Sequence, residues 1–120
     1  MWRSIYNILH HLLLASCYSL AGLRAALQHE QAFRLEAGVL VVVVPLGFWL
    51  GKSGVERALL IGSWILVMVV ELLNTAIEAV VDRIGLEQHE LAGRAKDVGA
   101  ASVLCAIVLA LAVWAIILTG

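Results

Sequence analysis

From Val98 to Leu118 the chain carries no charged side chain, which matches the run of about 20 apolar residues that a helix needs to cross a bilayer core. Hydrocarbon offers no partner to a backbone N–H or C=O, so such a run satisfies its own polar groups as a helix. Two more apolar stretches precede it, Ala37 to Leu50 and Ala58 to about Val81. The first is short and contains Pro45. Proline kinks a span without preventing it when neighbouring groups satisfy the freed carbonyl, and this stretch is expected to borrow flanking residues. The spans are predicted over about 35–51, about 57–82 and about 98–118. Gly51-Lys52-Ser53-Gly54 leaves room only for a reversal between the first two. Composition agrees, with 62% hydrophobic and 14% charged residues and a mean hydropathy of +0.98, as in membrane proteins.

Ahead of the spans, Ile5, Leu9, Leu12, Ser16, Leu20, Leu23 and Leu27 recur at helical spacing. With Ile8 and Leu13 they fill an arc of roughly 140° on a helical wheel. Asn7, His10, His11, Arg24 and Gln28 point elsewhere. The pattern predicts an amphipathic helix over about 5–28 lying in the membrane interface, with Trp2, Tyr6 and Tyr18 suited to that depth. A lipoprotein signal ending Leu14-Ala15-Ser16-Cys17 is the alternative, but Asn7, His10 and His11 interrupt its apolar core. No repeat, low-complexity tract or second domain is visible, so residues 1–120 read as one integral membrane domain, all-α.

Eight Lys and Arg stand against nine Asp and Glu, so no field of one sign points to nucleic acid. Cys17 and Cys105 lie far apart in apolar surroundings and match no metal or redox spacing. Arg3, Arg24 and Arg34 precede the first span and Arg83, Arg94 and Lys96 join the second to the third, against Lys52 and Arg57 on the other side. Positive charge therefore predicts a cytoplasmic N-terminus and second loop.

Within the second span, Glu71, Asn74, Glu78 and Asp82 fall at i, i+3, i+7 and i+11, an arc of roughly 80° on a helix. A carboxylate at the centre of a membrane costs at least about 2.5 kcal/mol on insertion scales, so such residues mark a wet cavity, a partner or a function. Glu71 lies about 21 Å along the helix from Arg57, while Asp82 abuts the loop. Depth suits Glu71 to take a proton from a lipid hydroxyl, an apolar setting raising carboxyl basicity; bonding to a neighbouring helix is the plainer role. Oxygen ligands such as Glu78 suit Mg²⁺, which takes one or two carboxylates beside substrate phosphates, with Glu30 or Glu36 as the second. A solvated surface position is the plainer reading there.

The second loop, Gly85 to Asp97, is the most polar stretch of the chain. Arg94 and Lys96 are candidates for phosphates, and Asp97 for holding Lys96 or accepting from a ribose or base; an ordinary positive-inside loop is the alternative. No Walker or Gly-rich kinase loop occurs, so any nucleotide needs an unfamiliar site. A proton or cation pathway through Glu71 and Glu78 is the rival from another class. The absence of a polar stripe on the third span argues against it.

The run Val70 to Arg83 (VELLNTAIEAVVDR) resembles the signature of the prokaryotic-type diacylglycerol kinase family. The likeness continues through His89 to Ala101, Gly22 to Ala26 and Glu30 to Glu36. It implies a homotrimeric inner-membrane helical bundle that moves the γ-phosphate of MgATP onto diacylglycerol, with sites shared between subunits. On matching positions it implies Glu71 as general base and Glu30 and Glu78 as holders of the metal, with Asn74 and Asp82 supporting the cluster. Tyr18, Glu87, Gln88, His89, Lys96 and Asp97 would contact the nucleotide, and Ser16, Ser19, Arg24, Glu36, Arg57 and Ala100 would lie near the lipid or the floor of the site. The chain departs from the best-known member at His11 and Leu14, where that member is basic. Since histidine carries only part of a charge near neutral pH, phosphate binding is expected to be weaker or more pH-sensitive here. An undecaprenol kinase of the same fold is the neighbouring reading.

Overall fold

The computed structural model describes residues 1–85 and 89–120, and these are helical nearly throughout. Helix α1 spans Trp2–His29, α2 Gln31–Leu50, α3 Gly54–Ile84 and α4 Glu90–Thr119. The last three are long and apolar enough to cross a membrane. The expected architecture, an N-terminal helix followed by three spans, is the one observed. Each span helix runs past its apolar stretch, because a helix continues until something caps it.

The breaks between helices have identifiable causes. At Glu30 the backbone turns extended, with φ −109° and ψ 108°. There Arg34 Nη1 donates to the carbonyls of Leu27 and Gln28 at 3.1 and 2.9 Å. A cation on the carbonyls that a helix end leaves open is favourable both as hydrogen bond and against the helix dipole. Arg34 thus fixes how α1 leaves the bundle. After α2, Arg57 Nε donates to the Gly51 carbonyl at 3.2 Å. A Cβ at Gly51 would meet Arg57 Cγ and the Gly47 carbonyl oxygen within 2.9 Å, so only glycine fits this reversal. Ser53 then caps α3, its hydroxyl accepting from the Glu56 N–H at 3.2 Å. Pro45 sits inside α2, which continues through it.

The two apolar helices α3 and α4 pack along a seam of small and branched residues. Val67, Ala106 and Ala110 form its buried core, with Trp64, Val70 and Ile107 against it. Small residues let backbones approach in lipid, where no hydrophobic force drives helices together. Hydrogen bonds from indoles fix the register: Trp114 Nε1 donates to the Leu60 carbonyl at 3.0 Å, and Trp64 Nε1 to the Glu36 carbonyl at 2.9 Å. The first ties α4 to α3 and the second ties α3 to α2. By contrast α1 buries only Ala26.

Candidate active site

On α3 the buried residues are Leu60, Ser63, Val67, Glu71 and Asn74. Their spacing of three or four residues puts them on one face of the helix. The polar stripe is therefore the continuation of the apolar seam, facing the other helices rather than lipid. Glu71 is 8% exposed and Asn74 7%. Glu78 is half-buried and Asp82 exposed, so the stripe runs from the bundle interior to its polar end.

The Asn74 side-chain amide donates to Glu78 Oε1 at 3.2 Å and orients that carboxylate. Its own Oδ1 is buried without a hydrogen-bond partner among the described residues, pressed toward α4 where Gly99 passes. A Cβ at Gly99 would collide with Asn74 Oδ1. Nothing in the local sequence announced this: the signal, visible only in retrospect, is that Gly99 begins the series of small residues Ala106 and Ala110 on the buried face of α4.

Other elements bring further carboxylates to this level. Glu36, on α2, is buried and its Oε2 has no hydrogen-bond partner among the described residues. Gly47 packs against Leu60 and Ile61, and in an antiparallel pair that register sets Glu36 opposite Glu71. The two are within electrostatic reach of each other. Glu30, at the break between α1 and α2, and Glu78 also lie within such reach of Glu71. Three further carboxylates, from three places on the chain, thus lie within electrostatic reach of Glu71.

Lys96 Nζ lies 2.5 Å from Asp82 Oδ1. The sequence offered Asp97 as the residue to hold Lys96, and here the partner is Asp82 instead. The reason is geometric: residues i and i+1 on a helix do not face each other, and Asp97 is exposed. Glu78 is the next acidic group within reach of the ammonium.

The remaining expected residues are placed apart from this cluster. His11, Ser16, Tyr18, Ser19 and Arg24 lie on exposed turns of α1. The Ser16 and Ser19 hydroxyls donate to the carbonyls of Leu12 and Ala15 in their own helix. Ser19 also lines a groove of about 610 Å³ between α1 and α3, together with Gly22, Ala26, Glu30, Leu72 and Thr75. His89 caps α4, its Nδ1 accepting from the Leu91 N–H at 3.1 Å. Ala100 is exposed beside Gly99. Arg57 closes the turn at the opposite end of α3. Glu87 and Gln88 fall outside the described residues.

Among the described residues no three metal-binding side chains converge on one point. Glu30 and Glu78 remain compatible with Mg²⁺, which needs one or two carboxylates when phosphate and water complete its shell. The all-oxygen donors and the orientation of Glu78 by Asn74 fit a hard cation.

A polytopic helical membrane protein with carboxylates buried at one end of its bundle and a lysine at their mouth is a membrane-embedded enzyme in outline. The prokaryotic diacylglycerol kinase family model matches residues 17–118. The chain is 55% identical over 104 residues to a diacylglycerol kinase of Escherichia coli strain K12, covering 87% of this chain and 85% of the relative. It is 51% identical over 106 residues to that of Haemophilus influenzae, covering 88% and 90%. With that of Pseudomonas aeruginosa the identity is 47% over 112 residues, covering 93% and 91%. The chain belongs to the prokaryotic diacylglycerol kinase family.

Proposed function

We propose that the protein transfers the γ-phosphoryl group of ATP to the free hydroxyl of diacylglycerol, yielding phosphatidate and ADP. The observation that carries this reading is the seam on α3, where a buried Glu71 is followed toward the polar end by an Asn74-oriented Glu78. Phosphoryl transfer asks mainly for alignment and charge neutralisation. A lipid hydroxyl reaching Glu71 from the membrane gives its proton to the carboxylate as its oxygen bonds to the γ-phosphorus. The bond to the bridging oxygen of ADP then breaks. Glu30 and Glu78 would hold Mg²⁺ on the phosphates, and the ion when bound supplies charge neutralisation. Lys96 adds a positive charge at the mouth of the same cluster.

The protein works in this reading as a homotrimer in the bacterial inner membrane, with its N-terminus cytoplasmic. Support comes from α1, which carries His11 and Tyr18 on exposed turns, where a neighbouring copy can receive them. The positive charges at the polar end of α3 and α4 support the orientation.

The deciding experiment is a phosphotransfer assay of solubilised protein with MgATP and either diacylglycerol or undecaprenol. Product from diacylglycerol, and turnover in Glu71→Gln lowered about 10²–10⁴-fold with little change in either Michaelis constant, is the expected result. Phosphorylation of undecaprenol alone would overturn the substrate, and cation flux through liposomes without ATP turnover would overturn the reaction class.

A further inference from the structure

At the polar end of the bundle one ion pair among the described residues, Lys96 on α4 with Asp82 on α3, crosses between the two helices. The side chains are 43% and 54% exposed, and a pair this wet contributes little to stability. It adds little to a helix pair already tied by the Val67, Ala106 and Ala110 seam and by the Trp114 indole. What the contact does fix is direction. A lysine side chain is long and has many rotamers, and Asp82 holds this one pointing across to α3. Its next acidic neighbour there is Glu78, one turn deeper, which Asn74 in turn orients.

We propose that Asp82 is a positioning residue, which holds the Lys96 ammonium across the gap between α3 and α4 beside Glu78, so that the phosphates of MgATP meet an amine already in place. The inference rests on the kinase reading above. Asp82 itself touches no substrate and acts through Lys96. The same logic operates in protein kinases, where the phosphate-binding lysine must be paired with a glutamate from another element. The exposure of the pair suits this work, since a weak, wet contact can loosen as phosphate oxygens arrive.

The test is binding of a non-hydrolysable ATP analogue, with Mg²⁺, to the full-length protein in detergent without lipid substrate. Asp82→Asn, Lys96→Met, the double variant and Asp82→Glu are compared with wild type. Asp82→Asn is expected to weaken binding about tenfold, the lower end of what losing an orienting partner costs a polar site. Lys96→Met weakens it at least as much, and Asp82→Asn adds nothing in the Lys96→Met background. Asp82→Glu recovers most of the affinity, and the Michaelis constant for lipid stays unchanged in all four. Additive losses overturn the proposal, as does tighter binding in Asp82→Asn, which would make Asp82 a competitor of the phosphates. Loss of cooperative unfolding in Asp82→Asn would also overturn it, by making the pair structural. If the wild type binds no nucleotide, the kinase reading falls with it; additivity alone leaves that reading standing.

Discussion

Asn74 is the residue on which the site turns, because it spends its amide on Glu78 and presses its oxygen toward Gly99. Orienting partners of metal-binding side chains are worth about 10–100-fold in affinity. Asn74→Ala should accordingly raise the Mg²⁺ concentration for half-maximal activity by at least about tenfold, as read from a Mg²⁺ titration at saturating ATP. An unchanged midpoint would detach Asn74 from the metal. His11 offers a test at the same scale. His11→Arg, which puts a permanently charged guanidinium on that turn of α1, should lower the Michaelis constant for ATP. Equal constants in both proteins would remove His11 from the nucleotide.

At the level of helices, the α3/α4 pair depends on one close approach and one indole hydrogen bond. Gly99→Val forces side-chain atoms into Asn74, and overpacking of this kind costs about 1–3 kcal/mol. Thermal unfolding in detergent should show the loss, together with reduced turnover, because the wedge displaces Asn74 from Glu78. Trp114→Phe keeps the ring and removes only the donor to the Leu60 carbonyl. Hydrogen bonds between membrane helices average about 0.6 kcal/mol, so Trp114→Phe should unfold slightly earlier and work normally. The helices were legible in the sequence, since apolar length and spacing dictate them. Their packing partners were not: Trp64, Trp114 and Gly99 look like ordinary apolar residues until a carbonyl or an amide from a distant helix faces them. The stripe of Glu71, Asn74 and Glu78 was readable because its members share one helix. The pairing of Lys96 with Asp82 was not, because it crosses between helices and local sequence pointed to Asp97.

The whole molecule leaves most of its apolar surface uncovered, with Trp49, Val41 and Leu111 among the exposed residues of the spans. Lipid would cover part of that surface and, in the proposed trimer, neighbouring copies the rest. A site shared between subunits makes a distinctive prediction. Glu71→Gln and Tyr18→Ala, each inactive or weak alone, should regain activity when mixed and reassembled, because some sites then draw an intact residue from each chain. Activity no greater than the average of the two variants would place each site within one subunit.

The amino-acid sequence by itself determined the membrane class, the helices and the line of polar residues on α3, because backbone hydrogen bonding in lipid and helical periodicity are properties of the local chain. Only the tertiary structure decided what that line faces. It set Glu36 opposite Glu71, put Gly99 against Asn74, and gave Lys96 to Asp82. Those choices follow from the register between helices, which close packing and a few cross-helix bonds fix and no single segment encodes.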